Sequence, residues 1–196
     1  MKKTAIILSV ILLFSGCDVM KQIGGAYNLS QCEYTYNSLN NIQLAGMNLG
    51  NGSSISVATL ASIATILSGG GNLQTIPFNM TLNMDVKNPN AAAAFLNALD
   101  YAIEINDLEF TNGKMDIPIR IEPGQTQVLP INMSVDLKQL MNRYSQDKVS
   151  GVLNSFLGIS PNQTTVKVNL WPKLMVGNTP IKSPAAIPVV FTFGGK

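Results

Sequence analysis

The stretch Ile76–Asn90, which reads IPFNMTLNMDVKNPN, decides the fold of this chain. Every second residue from Phe78 to Val86 is apolar, and the residues between them are polar or charged. A period of two places the apolar side chains on one face of an extended segment, so the pattern predicts a half-buried β-strand. The strand is expected to end at Asn88-Pro89-Asn90, because proline lacks a ladder donor and asparagine side chains bond their own backbone in turns.

The same alternation recurs along the chain and predicts about eight or nine short strands in all. Asn112-Gly113 is typical of a tight hairpin turn, and the small residues of Ala91–Leu99 favour a single helical turn. Many short strands with frequent turns predict a mainly β protein built as an antiparallel β-sandwich. The other alternating segments are Cys32–Tyr36, Ile42–Leu44, Tyr101–Ile105, Met115–Ile121, Leu129–Val135, Val166–Leu170 and Ile187–Phe193.

The period changes to that of a helix in two places, which adds one or two packed helices to the predicted sandwich. Apolar residues at helical spacing fill Leu137–Leu157, with a one-residue slip where Ser145 can cap a second helix. Earlier, Ser53 or Ser54 can cap a helix that ends at Gly69-Gly70-Gly71. These glycines are not a phosphate-binding loop, because the Lys-Ser/Thr of that motif is missing.

The first residues have the three regions of a bacterial secretory signal. Lys2 and Lys3 precede an apolar run from Ala5 to Phe14, and Ser15-Gly16-Cys17 follows. The run is shorter than the roughly 20 apolar residues that a spanning helix needs. The small residues before Cys17 resemble the lipobox of bacterial lipoproteins, although Phe14 replaces its usual aliphatic residue. The resemblance implies cleavage between Gly16 and Cys17 and acylation of Cys17.

Several acyl chains on one residue anchor a protein stably to a bilayer without spanning it. The sequence thus predicts a signal peptide over 1–16, a lipidated tether over 17–26 that contains Gly24-Gly25, and one sandwich domain over 27–196. Asp18 follows the cysteine, a feature that retains lipoproteins at the inner membrane in some Gram-negative lineages and not in others. We expect a lipid-anchored protein of the cell envelope and favour the outer membrane.

Composition excludes several functions. Once Lys2 and Lys3 leave with the signal, lysines and arginines equal the acids in number, so no basic field would attract nucleic acid. The chain has no histidine, which excludes Ser-His-Asp and Cys-His catalysis and histidine metal sites. Acylation of Cys17 leaves Cys32 as the one free thiol, and we interpret Cys32 as a small strand residue rather than a nucleophile.

A resemblance to a known family rests on several motifs in order. Val86-Lys87-Asn88-Pro89-Asn90 is similar to the V-x-N-P-N signature of the late embryogenesis abundant type 2 domain, also called the water-stress and hypersensitive-response domain. The resemblance covers roughly residues 70 to 196, and residues before 70 depart from the minimal domain. It implies an immunoglobulin-like or fibronectin-like sandwich with a packed helix, a link to dehydration and other stress, and no catalytic residues to carry over. The further matching segments are Tyr101–Ile105, Asn112-Gly113, Ile117-Pro118 and Leu129-Pro130-Ile131.

Three functions are compatible with these observations. The leading hypothesis is a non-enzymatic envelope lipoprotein that binds or protects another envelope protein or glycan, with the bilayer as a partner through acylated Cys17. The second is an accessory protein for surface glycan or nutrient capture, which exposed clustered aromatic side chains would favour. The third is a carboxylate-based hydrolase, which needs two acids facing each other about 5 to 9.5 Å apart. Asp85, Asp107 and Glu109 are interpreted as surface acids rather than calcium ligands, and no catalytic, metal or cofactor residue is predicted.

Overall fold

The structure is a computed structural model that describes residues 19–51, 56–68, 73–176 and 178–193. A helix over 19–30, here α1, opens the described chain. The elements that follow are β1 (Glu33–Leu44), β2 (Met47–Gly50), α2 (Val57–Leu67), β3 (Pro77–Lys87), β4 (Ala94–Leu96), β5 (Ala98–Ile105), β6 (Leu108–Met115), β7 (Ile119–Ile121), β8 (Thr126–Asp136), α3 (Leu137–Tyr144), α4 (Gln146–Phe156), β9 (Thr164–Val176), β10 (Thr179–Lys182) and β11 (Ile187–Phe193).

The strands form two antiparallel sheets and a small separate pair. The first sheet has the order β2-β1-β3-β8, so the strand predicted from Ile76–Asn90 lies inside it as β3. The second sheet has the order β10-β9-β5-β6, and β11 also pairs with β9. Strands β4 and β7 pair only with each other among the described residues.

The inward faces of both sheets share one hydrophobic core, which confirms the mainly β fold. Each predicted apolar side chain of β3 is at most 2% exposed: Phe78, Met80, Leu82, Met84 and Val86. Across the sandwich, the ring of Phe78 meets the ring of Phe110 in β6 edge to face at 5.8 Å. Phe156 of α4 packs on Phe110 from one end at 6.5 Å, so the helical region closes that end of the core.

The helices begin at side-chain caps. The Asp136 carboxylate accepts from the backbone N–H of Lys138 at the start of α3, and Ser145 caps α4 as predicted. Helix α2 is capped by Ser56, and Ser150 of α4 donates to the carbonyl of Leu67 at its end. The alternative caps Ser53 and Ser54 and the glycines at 69–71 lie outside the described residues.

The tight turn predicted at Asn112-Gly113 is wrong. Both residues lie inside β6, and the chain turns instead at Asn106 and Asp107, whose φ angles are 48° and 60°. Asparagine and aspartate tolerate this left-handed region, so the turn forms without glycine. Gly113 has a different role, because it lies opposite Tyr101 in the register and a Cβ there would collide with the tyrosine ring and hydroxyl.

Three further expectations differ from the structure. Ala91–Leu99 forms no helical turn, and contains β4 and the start of β5. The two extended segments predicted between Cys32 and Leu44 are one strand, β1, with register irregularities against β3. Residues 19–26 of the predicted tether belong to helix α1. The short strands β2 and β10 were not predicted, since four residues carry too little alternation to be recognised.

Candidate functional site

The predicted signal cleavage and acylation residues, Gly16 and Cys17, lie outside the described residues. The first described residue is Val19, which already belongs to α1. None of the helices in the described part of the chain is long and apolar enough to cross a membrane. The structure around α1 is therefore the described region nearest to the predicted acylation site.

Helix α1 is held to the sandwich by the side chain of Gln22, which hydrogen-bonds to the backbone of β9 as a neighbouring strand would. Gln22 accepts from the backbone N–H of Met175 at 2.6 Å and donates to the carbonyl of the same residue at 3.1 Å. Pairing between β5 and β9 ends at Ala98 and Lys173, so Gln22 satisfies backbone groups of β9 beyond the end of β5. Leu29, near the other end of α1, is buried in the core.

The two glycines of α1 have different surroundings. Gly25 is buried, and a Cβ on it would lie 2.5 to 2.8 Å from three ring carbons of Phe95 in β4. A Cβ on Gly24 would meet nothing within 4 Å. Gly25 therefore lets the helix approach the Phe95 ring closely, whereas Gly24 faces open space.

The chain around Asn88-Pro89-Asn90 forms a buried asparagine corner, which we define as Asn88, Pro89 and Asn90 with the groups they bind. Asn88 is fully buried, and its side-chain amide donates to the carbonyls of Ala92 at 3.0 Å and Ile121 at 2.9 Å. Its side-chain oxygen accepts from the backbone N–H of Asn90 at 3.0 Å. One side chain thus joins the end of β3 to two other segments.

The asparagine corner also fixes the end of α1. The side chain of Asn90 donates to the carbonyl of Asn28 at 2.9 Å, and the side chain of Asn28 donates to the carbonyl of Ala93 at 3.0 Å. Gln22 at one end and Asn28 at the other therefore hold α1 at two points. A helix fixed in this way is part of the folded domain and not a free linker.

Beyond its contacts with the domain, α1 exposes apolar side chains at helical spacing. Met20 is 68% exposed, Ile23 45% and Tyr27 65%, and they lie three and four residues apart on one face. Val176 and Ile181 of the adjoining β9 and β10 are also exposed, and Ile181 is paired in register with Leu174. We call these five exposed side chains, Met20, Ile23, Tyr27, Val176 and Ile181, the α1 surface.

An apolar groove of about 250 Å³ runs between α1 and the second sheet beside these residues. Ile23 and Tyr27 form one wall, and Leu174 lies in the opposite one. Because directly paired residues share a face of a sheet, Ile181 lies on the same face as Leu174. The α1 surface and the groove are thus continuous. The remaining lining residues are Ala26, Ser30, Pro172, Ser183, Ala185, Ala186 and Ile187.

The outer face of the second sheet carries a charged cluster. Asp100 lies 2.5 Å from the Nζ of Lys173 and 3.7 Å from the Nζ of Lys182. Burial of the Asp100 carboxyl raises its pKa, but the hydrogen bond from Lys173 and the charges of Lys173, Lys182 and Lys114 outweigh burial and hold the pKa below its ordinary value of 3.8. Asp100 is therefore an ionised carboxylate matched by cations.

Trp171 belongs to the same cluster. The Nζ of Lys182 lies 4.2 Å from the centre of its ring, so a cation covers the one tryptophan of the chain. The exposed aromatic side chains among the described residues, Tyr27 and Tyr36, lie on α1 and β1 respectively. No described group of exposed aromatics gathers on one face in the way that glycan capture would favour.

A larger open groove of about 490 Å³ lies over β5 and β6 and reaches α3. Glu104 and Glu109 both line this groove and are paired in register, so two carboxylates are neighbours there. Each lies near a cation: Lys167, which also pairs with Asp107, lies 3.7 Å from Glu104, and Arg143 lies 3.8 Å from Glu109. The side chain of Glu109 is 76% exposed, so its carboxylate faces water rather than an enclosed cleft.

The other acids and the thiol considered from the sequence have structural partners. Asp85 accepts from the side chain of Asn37 at 2.9 Å, and Asp107 accepts from Lys167 at 2.6 Å. Among the described residues no group of three potential ligands gathers to hold a metal ion. Burial, with the nearby charge of Glu33, raises the pKa of the half-buried Cys32 thiol to about 11, which keeps it protonated and poorly nucleophilic.

Sequence reasoning missed the α1 surface, the groove beside it and the Asp100 cluster. The spacing of Met20, Ile23 and Tyr27 was a signal for α1, but the two adjacent glycines favoured a flexible tether. No local pattern marks Gln22 as a partner of Met175, because 153 residues separate them. The pairing of Asp100 with Lys173 likewise depends on the β5–β9 register.

Comparison with known proteins gives one family. A family model described as late embryogenesis abundant protein matches residues 83–183, just over half of the chain, and includes Asn88-Pro89-Asn90 and the β5–β6 hairpin. This match confirms the resemblance drawn from the motifs. No curated protein matches the chain.

Several solved structures are similar over most of their length, at low identity. A crystal structure of a protein from Archaeoglobus fulgidus is 12% identical over 83% of this chain and 98% of that one, with a TM-score of 0.35. A solution structure from Arabidopsis thaliana is 14% identical over 60% and 70%, with a TM-score of 0.36. A third, described as a late embryogenesis abundant protein, is 10% identical over 99% and 87%, with a TM-score of 0.35. Only the family match over residues 83–183 supports an assignment of this chain.

Proposed function

This chain belongs to the late embryogenesis abundant protein family, and from that membership we propose that it is a non-enzymatic binding or stress-protective module anchored to a bacterial envelope membrane through acylated Cys17. Family membership supports a stress-related or binding role. The lipobox-like Ser15-Gly16-Cys17 supports the anchor, and the outer membrane of a Gram-negative cell is the favoured location.

One feature of the structure supports the proposal that the anchor would hold the domain close to the membrane. Residue 19, two residues after Cys17, already belongs to α1, which is fixed to the domain through Gln22 and Asn28. Two residues of extended chain reach only about 7 Å. An acyl group on Cys17 would therefore place the domain itself at the bilayer, and α1 presents exposed apolar side chains at that point.

A non-enzymatic role is supported by the chemistry of the described acids and of Cys32. Glu104, Glu109 and Asp100 are each matched by lysine or arginine, which leaves them as structural carboxylates. The protonated thiol of Cys32 and the lack of histidine in the sequence remove the common nucleophile and base.

The proposed anchor is tested by metabolic labelling with a clickable palmitate analogue. The parent chain is expected to take up label and fractionate with the outer membrane, whereas Cys17→Ala is expected to lose the label and accumulate as an uncleaved precursor. Cys32→Ala is the matched control, because it removes the other cysteine and should leave labelling unchanged. A parent chain that is unlabelled and soluble would refute the anchor, and label found with the inner membrane would refute the favoured location.

The binding role is tested on the same cells by chemical cross-linking. We expect the anchored chain to be recovered with a specific envelope protein or glycan, in amounts that rise under osmotic or drying stress. Recovery of the uncross-linked chain alone, with unchanged survival of a deletion strain under those stresses, would contradict the proposed role.

A further inference from the structure

The α1 surface brings together several of the large apolar side chains that are exposed among the described residues. Of the large apolar side chains that are exposed in the described residues, Met20, Ile23 and Tyr27 come from the same helix, α1. Val176 and Ile181 extend the same face across the groove. A contiguous apolar patch of this kind on a soluble domain marks a surface that contacts another molecule or a membrane.

Lys21 places a positive charge on α1 beside the α1 surface. The segments 19–32 and 172–193, which build this surface and the groove, contain Lys21, Lys173 and Lys182 and no aspartate or glutamate. Lys173 and Lys182 both pair with Asp100 on the outer face of the second sheet, so Lys21 of α1 is the lysine of these segments that makes no ion pair among the described residues. Exposed apolar residues next to a lysine suit a phospholipid surface, and tyrosine side chains such as that of Tyr27 are common at the level of the headgroups.

The position of α1 in the chain identifies the occupant. Residue 19 of α1 lies two residues after Cys17, so a membrane that holds the acyl chains would lie within about 7 Å of it. We infer that the α1 surface lies on a phospholipid bilayer, with α1 parallel to the membrane and its apolar side chains at the boundary between headgroups and acyl chains. This inference rests on the proposed acylation of Cys17 and gives the anchored domain one fixed orientation.

Depth measurements on spin labels test this orientation. The acylated chain is made in cells and reconstituted in vesicles of phosphatidylethanolamine and phosphatidylglycerol. A spin label is attached at Tyr27→Cys in one variant and at Val190→Cys in a second variant, each in a Cys32→Ser background. Val190 is a matched control, because it is 59% exposed and pairs with Lys167, on the outer face of the same sheet. Collision with oxygen and with a water-soluble nickel complex reports the depth of each label.

The label at position 27 is expected about 5 to 10 Å below the headgroup boundary, with the label at position 190 in water. Ile23→Asp with Met20→Asp should move the label at 27 into water, and circular dichroism checks that this doubly substituted chain still folds. A label at 27 as accessible to nickel as the label at 190 would overturn the inference.

Two controls distinguish a wrong orientation from a missing anchor and from contact with a second copy. The mass of the purified chain shows whether Cys17 is acylated, so an acylated chain with an accessible label at 27 refutes the orientation and leaves the anchor intact. A chain without acyl groups refutes the anchor and the orientation together. The chain produced from residue 17 with Cys17→Ser contains every described element. If its label at 27 is shielded from nickel without vesicles, a second copy covers the α1 surface and the inference is wrong.

Discussion

The neighbouring glycines of α1 are expected to respond in opposite directions to the same substitution. Gly25→Ala would place a methyl group 2.5 Å from Cδ1 and 2.6 Å from Cε1 of Phe95, well inside contact distance. Gly24→Ala would place the same group where nothing lies within 4 Å. The two variants share their chemistry and their helix, so the difference between them isolates the packing of α1 on β4.

Two opposing effects set the change in the free energy of unfolding of each variant. Alanine is more favourable than glycine inside a helix by about 0.5 to 1 kcal/mol, and both variants gain this amount. Overpacking against a side chain costs about 1 to 3 kcal/mol, and only Gly25→Ala incurs it. Gly24→Ala should therefore be more stable than the parent by about 0.5 to 1 kcal/mol, whereas Gly25→Ala should be less stable by about 0 to 2.5 kcal/mol.

Urea unfolding followed by circular dichroism measures both free energies on the chain produced from residue 17 with Cys17→Ser. The slope against urea should be unchanged, which shows that the same surface is exposed on unfolding. The decisive quantity is the separation between the two variants. A separation below about 0.5 kcal/mol, the ordinary range for surface changes, would show that residues 19–26 are a free tether and that α1 does not dock.

Three further predictions concern the sandwich itself. Gly113→Ala should lower the free energy of unfolding by about 1 to 3 kcal/mol, because its methyl group collides with Tyr101. Gly151→Ala in α4, where nothing lies within 4 Å, should raise it by up to about 1 kcal/mol. Equal urea midpoints for the two variants would contradict this reasoning. Asn88→Ala should cost about 2 to 5 kcal/mol, because the carbonyls of Ala92 and Ile121 lose their donor; the exposed Asn112→Ala should stay within about 0.5 kcal/mol of the parent in the same assay. Asp100→Asn should cost about 1.5 to 3 kcal/mol at neutral pH. Since the pKa of Asp100 is held below 3.8, its contribution is present above that value and is lost as the pH falls through the lowered pKa. Unfolding measured from neutral pH down to about pH 2 should therefore show the parent and Asp100→Asn converging, and a constant difference would refute the ion pair.

The sequence allowed much of the sandwich to be predicted, because strands that turn every second side chain inward show an alternating apolar and polar pattern. Strands β3 and β8 follow this pattern, and Ser145 caps α4 as expected. The turn predicted at Asn112-Gly113 was wrong because the glycine there provides room for the Tyr101 ring. The turn forms instead at Asn106 and Asp107, which reach positive φ without glycine. One residue type thus serves two physical needs that the sequence alone does not separate.

The candidate site was less predictable, because distant contacts create it. Helix α1 contains two adjacent glycines, each of which weakens a helix. Its stability comes from Met175, Phe95 and the asparagine corner, which lie far along the chain. Asn88-Pro89-Asn90 could be predicted as a turn, but its contact with Asn28 depends on the fold. Cys17 and Gly16 remain predictions from the sequence.

The position of β9 sets the order in which this protein can fold. β9 pairs with β5 on one side and with β10 and β11 on the other, so the second sheet has no central strand until Thr164–Val176 is available. Sandwiches with such distant pairings fold slowly, within about milliseconds to seconds. A chain that emerges from its N-terminus can form the β5–β6 hairpin early, but that hairpin must wait for almost the whole chain. Chaperones that hold unfolded chains would therefore have the unpaired edge of β5 to protect until β9 is made.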